Sequence, residues 1–175
     1  KGPIDKFIPD DMKQELKDLA GLKELDTIFF IADTEKQAAL FAGQIRTELG
    51  NRLDLLEKNA YRFCYINDFP MFEYNVEEKK IGFTHNPFSM PQGGLEALNE
   101  KDPLEILAYQ YDIVCNGVEL SSGAVRNHDM QIMEKAFEIA GYDKSVLEEK
   151  FGALYNAFQY GAPPHAGMAP GVDRM

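Results

Sequence analysis

Met12, Leu16, Leu19 and Ala20 recur at helical spacing, so the chain is expected to open with a helix. Pro9 and Asp10 supply its start and Gly21 its stop. Residues 27–32, TIFFIA, have the length and the β-branched and aromatic content of a buried strand. Ala38, Phe41, Ile45 and Leu49 form the apolar face of a second helix, with a capping-box pattern at Thr34 and Gln37 and an end at Gly50. Residues 51–60 are polar and read as a connector. Beyond them the period changes to that of strands. Residues 62–67 form one strand, and residues 69–75 and 80–85 form a hairpin around Glu77, Glu78 and Lys79. Residues 86–102 carry Pro87, Pro91, Gly93 and Gly94 and are expected to be a long loop. Strands follow at 107–118 and 124–127. Two helices then bury Met130, Met133, Phe137 and Ala140, and Leu147, Phe151, Leu154, Tyr155 and Phe158. The first ends at Gly141, and Ser145 with Glu148 gives the second a capping-box pattern.

The pattern therefore divides the chain into residues 1–58, reading αβα, and residues 59–175, reading as antiparallel strands with helices. The fold class is α+β. Some fifty residues are too few for an αβα unit to cover both faces of its strand, so the chain is expected to start inside a domain. With 45% apolar residues a packed core is assured. Eighteen Lys and Arg against 29 Asp and Glu give a net charge of −11. That balance disfavours a free-standing nucleic-acid binder or an anionic membrane surface. No apolar run reaches the length of a membrane span, and no signal peptide is visible. Cys64 and Cys115 lie apart in strand-like runs and read as reduced, buried thiols of a cytoplasmic protein. His85, His128 and His165 lack metal-ligand spacing.

Three clusters could carry chemistry. In residues 111–119, YDIVCNGVE, an apolar strand carries Asp112 and Glu119. Buried carboxylates need a cation or several hydrogen bonds. Seven residues apart they face opposite ways on a regular strand, and a bulge at Asn116-Gly117 would bring them to one face. Two hard oxygen ligands suit Mg²⁺; the bland reading is a strand-end Asp and a solvated Glu. In residues 121–126, SSGAVR, a small-residue turn would return Arg126 beside Glu119, either as a carboxylate or phosphate ligand or as a structural ion pair. In residues 167–174, GMAPGVDR, alternating small residues permit close approach of a ligand to a strand, and Arg174 would sit where the strand gives way to a helix. The alternative there is an ordinary loop.

In this order the clusters resemble the later catalytic half of bacterial-type aspartyl-tRNA synthetases, a class II aminoacyl-tRNA synthetase family. The resemblance rests on IFFIAD (28–33), DFPMFE (68–73), FTHNPFSMP (83–91), YDIVCNGVELSSGAVR (111–126) and KFGALYNAFQYGAPPHAGMAPGVDR (150–174). The last contains the class II motif 3 pattern, with Ala169 at its second glycine and Asp173 at its glutamate. Pro170 departs from the apolar residue more usual there.

The resemblance implies activation of aspartate by ATP to aspartyl-adenylate and its transfer to tRNA, with Mg²⁺ on the phosphates. It implies that His85 and Gly167 line the aspartate site and that Arg126 holds the aspartate side-chain carboxylate. Glu119 would bind ATP and Mg²⁺, with Asp112 as a second metal ligand and Ser122 nearby. Gly171, Val172, Asp173 and Arg174 would contact ATP, Arg174 against the nucleotide. Arg126, Glu119 and Arg174 are thus the expected catalytic set. Residues 1–58 resemble the end of an insertion domain, and residues 59–175 the class II core up to motif 3. Motifs 1 and 2 and an anticodon-binding barrel are missing, so this piece is expected to be inactive alone; the resemblance implies a homodimeric cytoplasmic parent ligase. Two other classes stay open: a non-catalytic scaffold or binding module, and an aspartate–ammonia ligase, which would lack the insertion domain.

Overall fold

A computed structural model describes residues 2–175. They form two compact units that divide between Lys58 and Asn59. In the first, α1 (Asp10–Ala20) ends where Gly21 takes the left-handed conformation (φ 61°) and its N–H reaches the carbonyls of Asp18 and Lys17. The second helix, α2 (Glu35–Arg52), runs past Gly50 and ends at Leu53. Its start is not a capping box: no side chain caps it, and the Thr34 N–H bonds Asp33 Oδ1 at 2.7 Å. Residues 27–32 are not a strand. Apolar content makes a strand only where a neighbour completes the ladder. No described residue does so, and Phe29 and Phe30 stay about half exposed.

The second unit is built on a four-stranded antiparallel sheet, in the order β1 (Phe63–Asn67), β4 (Gln110–Cys115), β5 (Val118–Val125), β6 (Ala166–Pro170). A separate hairpin joins β2 (Phe72–Asn75) and β3 (Lys80–Phe83). The expected strands at 107–118 and 124–127 are corrected to one hairpin. Asn116 (φ 50°) and Gly117 (φ 81°) form its two-residue turn, the backbone that Asn-Gly prefers. Asn116 anchors it: its amide donates to the Ala60 carbonyl and its Oδ1 accepts from the Arg62 N–H, both at 2.9 Å. Ser121-Ser122-Gly123, expected as a turn, lies inside β5. The expected loop at 86–102 holds a helix, α3 (Gly94–Glu100), which buries Ala97 and Leu98. Cys115 is buried, but Cys64, on the edge strand β1, is exposed rather than buried.

Helices α4 (Met130–Ile139) and α5 (Lys144–Gln159) supply the packing layer. Asp129 caps α4 by accepting from the N–H groups of Gln131 and Ile132. The Ser145 capping box does not form: Ser145 lies within α5, whose N-cap position is Asp143. One buried cluster joins Met71, Phe72, Leu98, Ile106, Ala108, Ile132, Ala136 and Ala140; a second joins Met133, Phe137, Leu147 and Tyr155. Rings bridge them: Phe83 lies 5.4 Å from Phe72 and 5.0 Å from Phe137, and Phe88 lies 4.9 Å from Phe151. Phe88 thus ties the 84–91 segment into the core.

Tyr155 Oη donates to Glu134 Oε1 at 2.5 Å, and Lys144 Nζ lies 2.9 Å from the same oxygen. The Tyr155 hydrogen bond first, then Lys144, hold the Glu134 carboxyl below its usual range. A depressed carboxyl pKa adds stability above the unfolded-state value and loses it as pH falls through the folded one. Glu134→Gln is therefore expected to destabilise this chain by about 1 kcal/mol at pH 7, the half-exposed setting keeping the effect small. As pH falls through the lowered folded pKa of Glu134 the wild-type and variant urea midpoints should converge; a gap that stays constant across the whole acid range would remove the carboxylate from this role.

Candidate active site

The site follows from the register of β4, β5 and β6. Asp112 pairs with Ser122, and Ile113 with Ser121, but Val114 pairs with Glu119. Leu120 is therefore one extra residue on β5, a β-bulge. Its effect is to return Glu119 to the face carrying Asp112 and Ser122, because side chains alternate on either side of it. Sequence reasoning required a bulge for this and placed it at Asn116-Gly117; the structure puts it four residues on, because Asn-Gly is taken by the turn. The Leu120 carbonyl at the bulge accepts the Gly171 N–H at 2.7 Å, which fixes where β6 ends.

Continuing along that face, Ala124 pairs with Gly167, and Arg126 follows β5. A Cβ on Gly167 would stand 3.7 Å from the Arg126 guanidinium, in ordinary contact, so the guanidinium lies directly over Gly167. The Arg126 backbone N–H is held by the His165 carbonyl at 2.8 Å. No ion pair joins Arg126 to a carboxylate among the described residues. The expected approach of Arg126 to Glu119 is overturned: with 121–123 extended, roughly 20 Å of strand separates them. Arg174 takes that place. It lies in the short 3₁₀ turn Val172–Arg174 after β6 and donates from Nη1 to the Glu119 carbonyl at 2.9 Å. The same Nη1 is 3.4 Å from Glu119 Oε1. Both side chains are about half exposed, so this pair is weak and can open for another ligand. Val172 and Asp173 are exposed in the same turn, and a Cβ on Gly171 would press on the Arg174 stem at 3.2 Å.

The predicted residues thus form a strip, not a compact cluster: Glu119 with Arg174 at one end of β5, Asp112 and Ser122 in the middle, Arg126 over Gly167 at the other. His85 lies just beyond β3, exposed, its ring edge-on to Phe69 at 5.1 Å. Its segment reaches the strip through a bridge between Ser89 and Arg126. Among the described residues no three His, Cys, Asp or Glu side chains form a metal cage. Asp112 and Glu119 are two carboxylates on one face, a donor set that fits Mg²⁺ shared with phosphate oxygens rather than enclosed by protein.

Two positions escaped sequence reasoning. Tyr111 Oη donates to the Gly167 carbonyl at 3.2 Å, crossing over β5 from β4 to β6. Gly123 lies beneath that ring: its Cβ would meet Tyr111 Cε2 at 2.5 Å and the Gly167 oxygen at 2.7 Å. A glycine facing a tyrosine one strand away was visible only once the register was known.

Residues 8–175 match the family described as tRNA synthetases class II (D, K and N). The chain belongs to that family. The aspartate–tRNA(Asp/Asn) ligase of Ehrlichia canis is 59% identical over 175 residues, which is all of this chain and 30% of the relative. That of Gluconobacter oxydans is 60% identical over 175 residues, again all of this chain and 29% of the relative. The chain thus spans less than a third of the length of these relatives. The aspartyl-tRNA synthetase of Entamoeba histolytica superposes with a TM-score of 0.46 at 21% identity, covering 94% of this chain and 26% of that one.

Proposed function

We propose that this chain is the motif 3 half of the catalytic core of an aspartate–tRNA ligase, preceded by the end of an insertion domain in residues 1–58. The full-length enzyme activates aspartate with ATP, releasing pyrophosphate, and passes the aspartyl group to tRNA. The observation that carries this is the Arg126 guanidinium, with no carboxylate partner among the described residues, at the end of the strip over Gly167, opposite an Arg174–Glu119 pair that can open. An extended ligand with a carboxylate at one end and phosphates at the other fits that layout.

The chemistry asks for little beyond placement. The α-carboxylate of aspartate attacks the α-phosphorus of ATP in line, the new C–O–P link forms, and pyrophosphate leaves with the electron pair of the broken P–O bond. Positioning and charge neutralisation carry such a step. Arg126 grips the side-chain carboxylate, with Gly167 lining the site beneath it and His85 near the α-amino group. Arg174, with Gly171, Val172 and Asp173, receives the nucleotide. Asp112, Glu119 and Ser122 would hold Mg²⁺, which neutralises phosphate charge when bound. The relatives' names include tRNA(Asp/Asn), and the same pair of tRNAs is the proposed acceptor set. A cytoplasmic homodimer is the proposed working form.

The test is aspartate-dependent ATP–pyrophosphate exchange by the full-length protein, followed by charging of tRNA(Asp) and tRNA(Asn). Exchange that needs aspartate, and that asparagine does not support, is expected. Transfer of the activated aspartate to ammonia instead of tRNA would defeat the reading.

A further inference from the structure

Gln110 sits in a stretch, LAYQYDIVC, that is apolar apart from it and Asp112, and is 6% exposed. A primary amide is not buried there without a use for its donors. Its Nε2 donates to Ser89 Oγ at 2.7 Å and to the Asn86 carbonyl at 3.2 Å. Ser89 is completely buried. Both partners belong to the segment that begins with His85.

That segment is organised around three backbone hydrogen bonds closing a ring. Met90 N–H donates to the Val125 carbonyl, Val125 N–H to Tyr109, and Tyr109 N–H to Met90, each at 2.9 Å. The neighbours of these three residues are Ser89, Arg126 and Gln110. Ser89 bridges Arg126, and Asn127 N–H donates to the Phe88 carbonyl at 2.7 Å. Upstream, Pro87 favours a turn from Asn86 to Ser89, closed by Ser89 N–H to the Asn86 carbonyl at 3.2 Å. Asn86 Oδ1 also accepts the Phe88 N–H at 2.9 Å. The Asn86 carbonyl is the fixed point on the C-terminal side of His85, as the Thr84 N–H, which donates to the Met71 carbonyl at 3.1 Å, is on the other, and Gln110 is the only side chain beyond the turn itself that holds that carbonyl, among the described residues.

We infer that Gln110 is a positioning residue: through Asn86 and Ser89 it sets the place of His85 relative to Arg126. It touches no substrate. The inference rests on the proposed reading of His85 and Arg126 as aspartate ligands. Gln110 lies on the sheet face of Asp112, one register step further from the phosphate end, so its loss should reach the amino-acid end of the strip alone.

The test uses the full-length enzyme and ATP–pyrophosphate exchange. Gln110→Met, similar in length and without donors, is expected to raise the aspartate KM about tenfold while leaving the ATP KM within twofold. Hydrogen exchange should quicken in residues 84–90 and not in α4. Ser89→Ala removes one acceptor with little change in volume and should shift the aspartate KM the same way by a smaller factor; it also serves if Gln110→Met does not fold. A lowered thermal midpoint with both KM values unchanged, or equal rises in both, would overturn the inference. Absence of aspartate-dependent exchange in the wild-type enzyme would instead defeat the functional reading.

Discussion

Arg126→Leu in the full-length protein, on the proposed ligase reading, is expected to lower kcat/KM for aspartate by about a thousandfold while ATP affinity stays within about twofold. The size follows from removing one partner of a paired charge: the carboxylate left behind loses about 3–5 kcal/mol of interaction. The selectivity follows from the strip. Arg126 stands over Gly167, beyond the end of β5 from the Arg174–Glu119 pair, so it cannot serve both ends of the ligand. Arg126→Lys keeps the charge but not the planar fork that meets a carboxylate twice, and should recover only part of the loss. Exchange kinetics against aspartate, with nucleotide affinity from calorimetry, separate the two ends. A leucine variant that aspartylates normally would remove Arg126 from the site. The fold itself should tolerate the change, since no carboxylate among the described residues pairs with the guanidinium.

Much of this arrangement is legible in the sequence. The helical stripes of α4 and α5 gave most of their buried residues: Met133, Phe137, Ala140, Leu147 and Tyr155 are in the core and Met130, Phe151 and Phe158 pack against it, but Leu154 is exposed. Asp112, Glu119, Arg126 and Arg174 stood out because charge inside apolar or glycine-rich runs is costly without a use. Misreadings came where a local signal competed with a tertiary one. TIFFIA has strand composition, but a ladder needs a partner that composition cannot supply. Ser121-Ser122-Gly123 looks like a turn by residue type, yet pairing on both sides, with β4 and β6, holds it extended. The capping boxes at Thr34 and Ser145 matched the spacing but not the side-chain geometry. The bulge at Leu120 has no compositional mark at all. It is a property of register, and register decides which arginine meets Glu119.

Register also makes Gly123 the glycine with the least room for a side chain. Gly123→Ala is expected to cost about 2–3 kcal/mol, in the range of overpacking a tight interior. The added methyl would stand 2.5 Å from the Tyr111 ring, which can tilt, and 2.7 Å from the Gly167 carbonyl, which cannot move without β6. Displacing β6 would also break the 3.2 Å bond from Tyr111 Oη to that carbonyl. It would carry Gly167 away from Arg126 and shift Gly171, whose N–H marks the end of β6 at the bulge. One methyl should thus lower the urea midpoint and weaken both ends of the site together. Gly167→Ala is the contrast: its methyl meets only guanidinium atoms, at 3.7 Å and 3.9 Å. Stability should stay within about 0.5 kcal/mol, as for substitutions away from packed features, while the aspartate KM rises and the ATP KM does not. If Gly123→Ala leaves the midpoint unchanged, the close approach of β4 and β6 across β5 is not what holds the strip in shape.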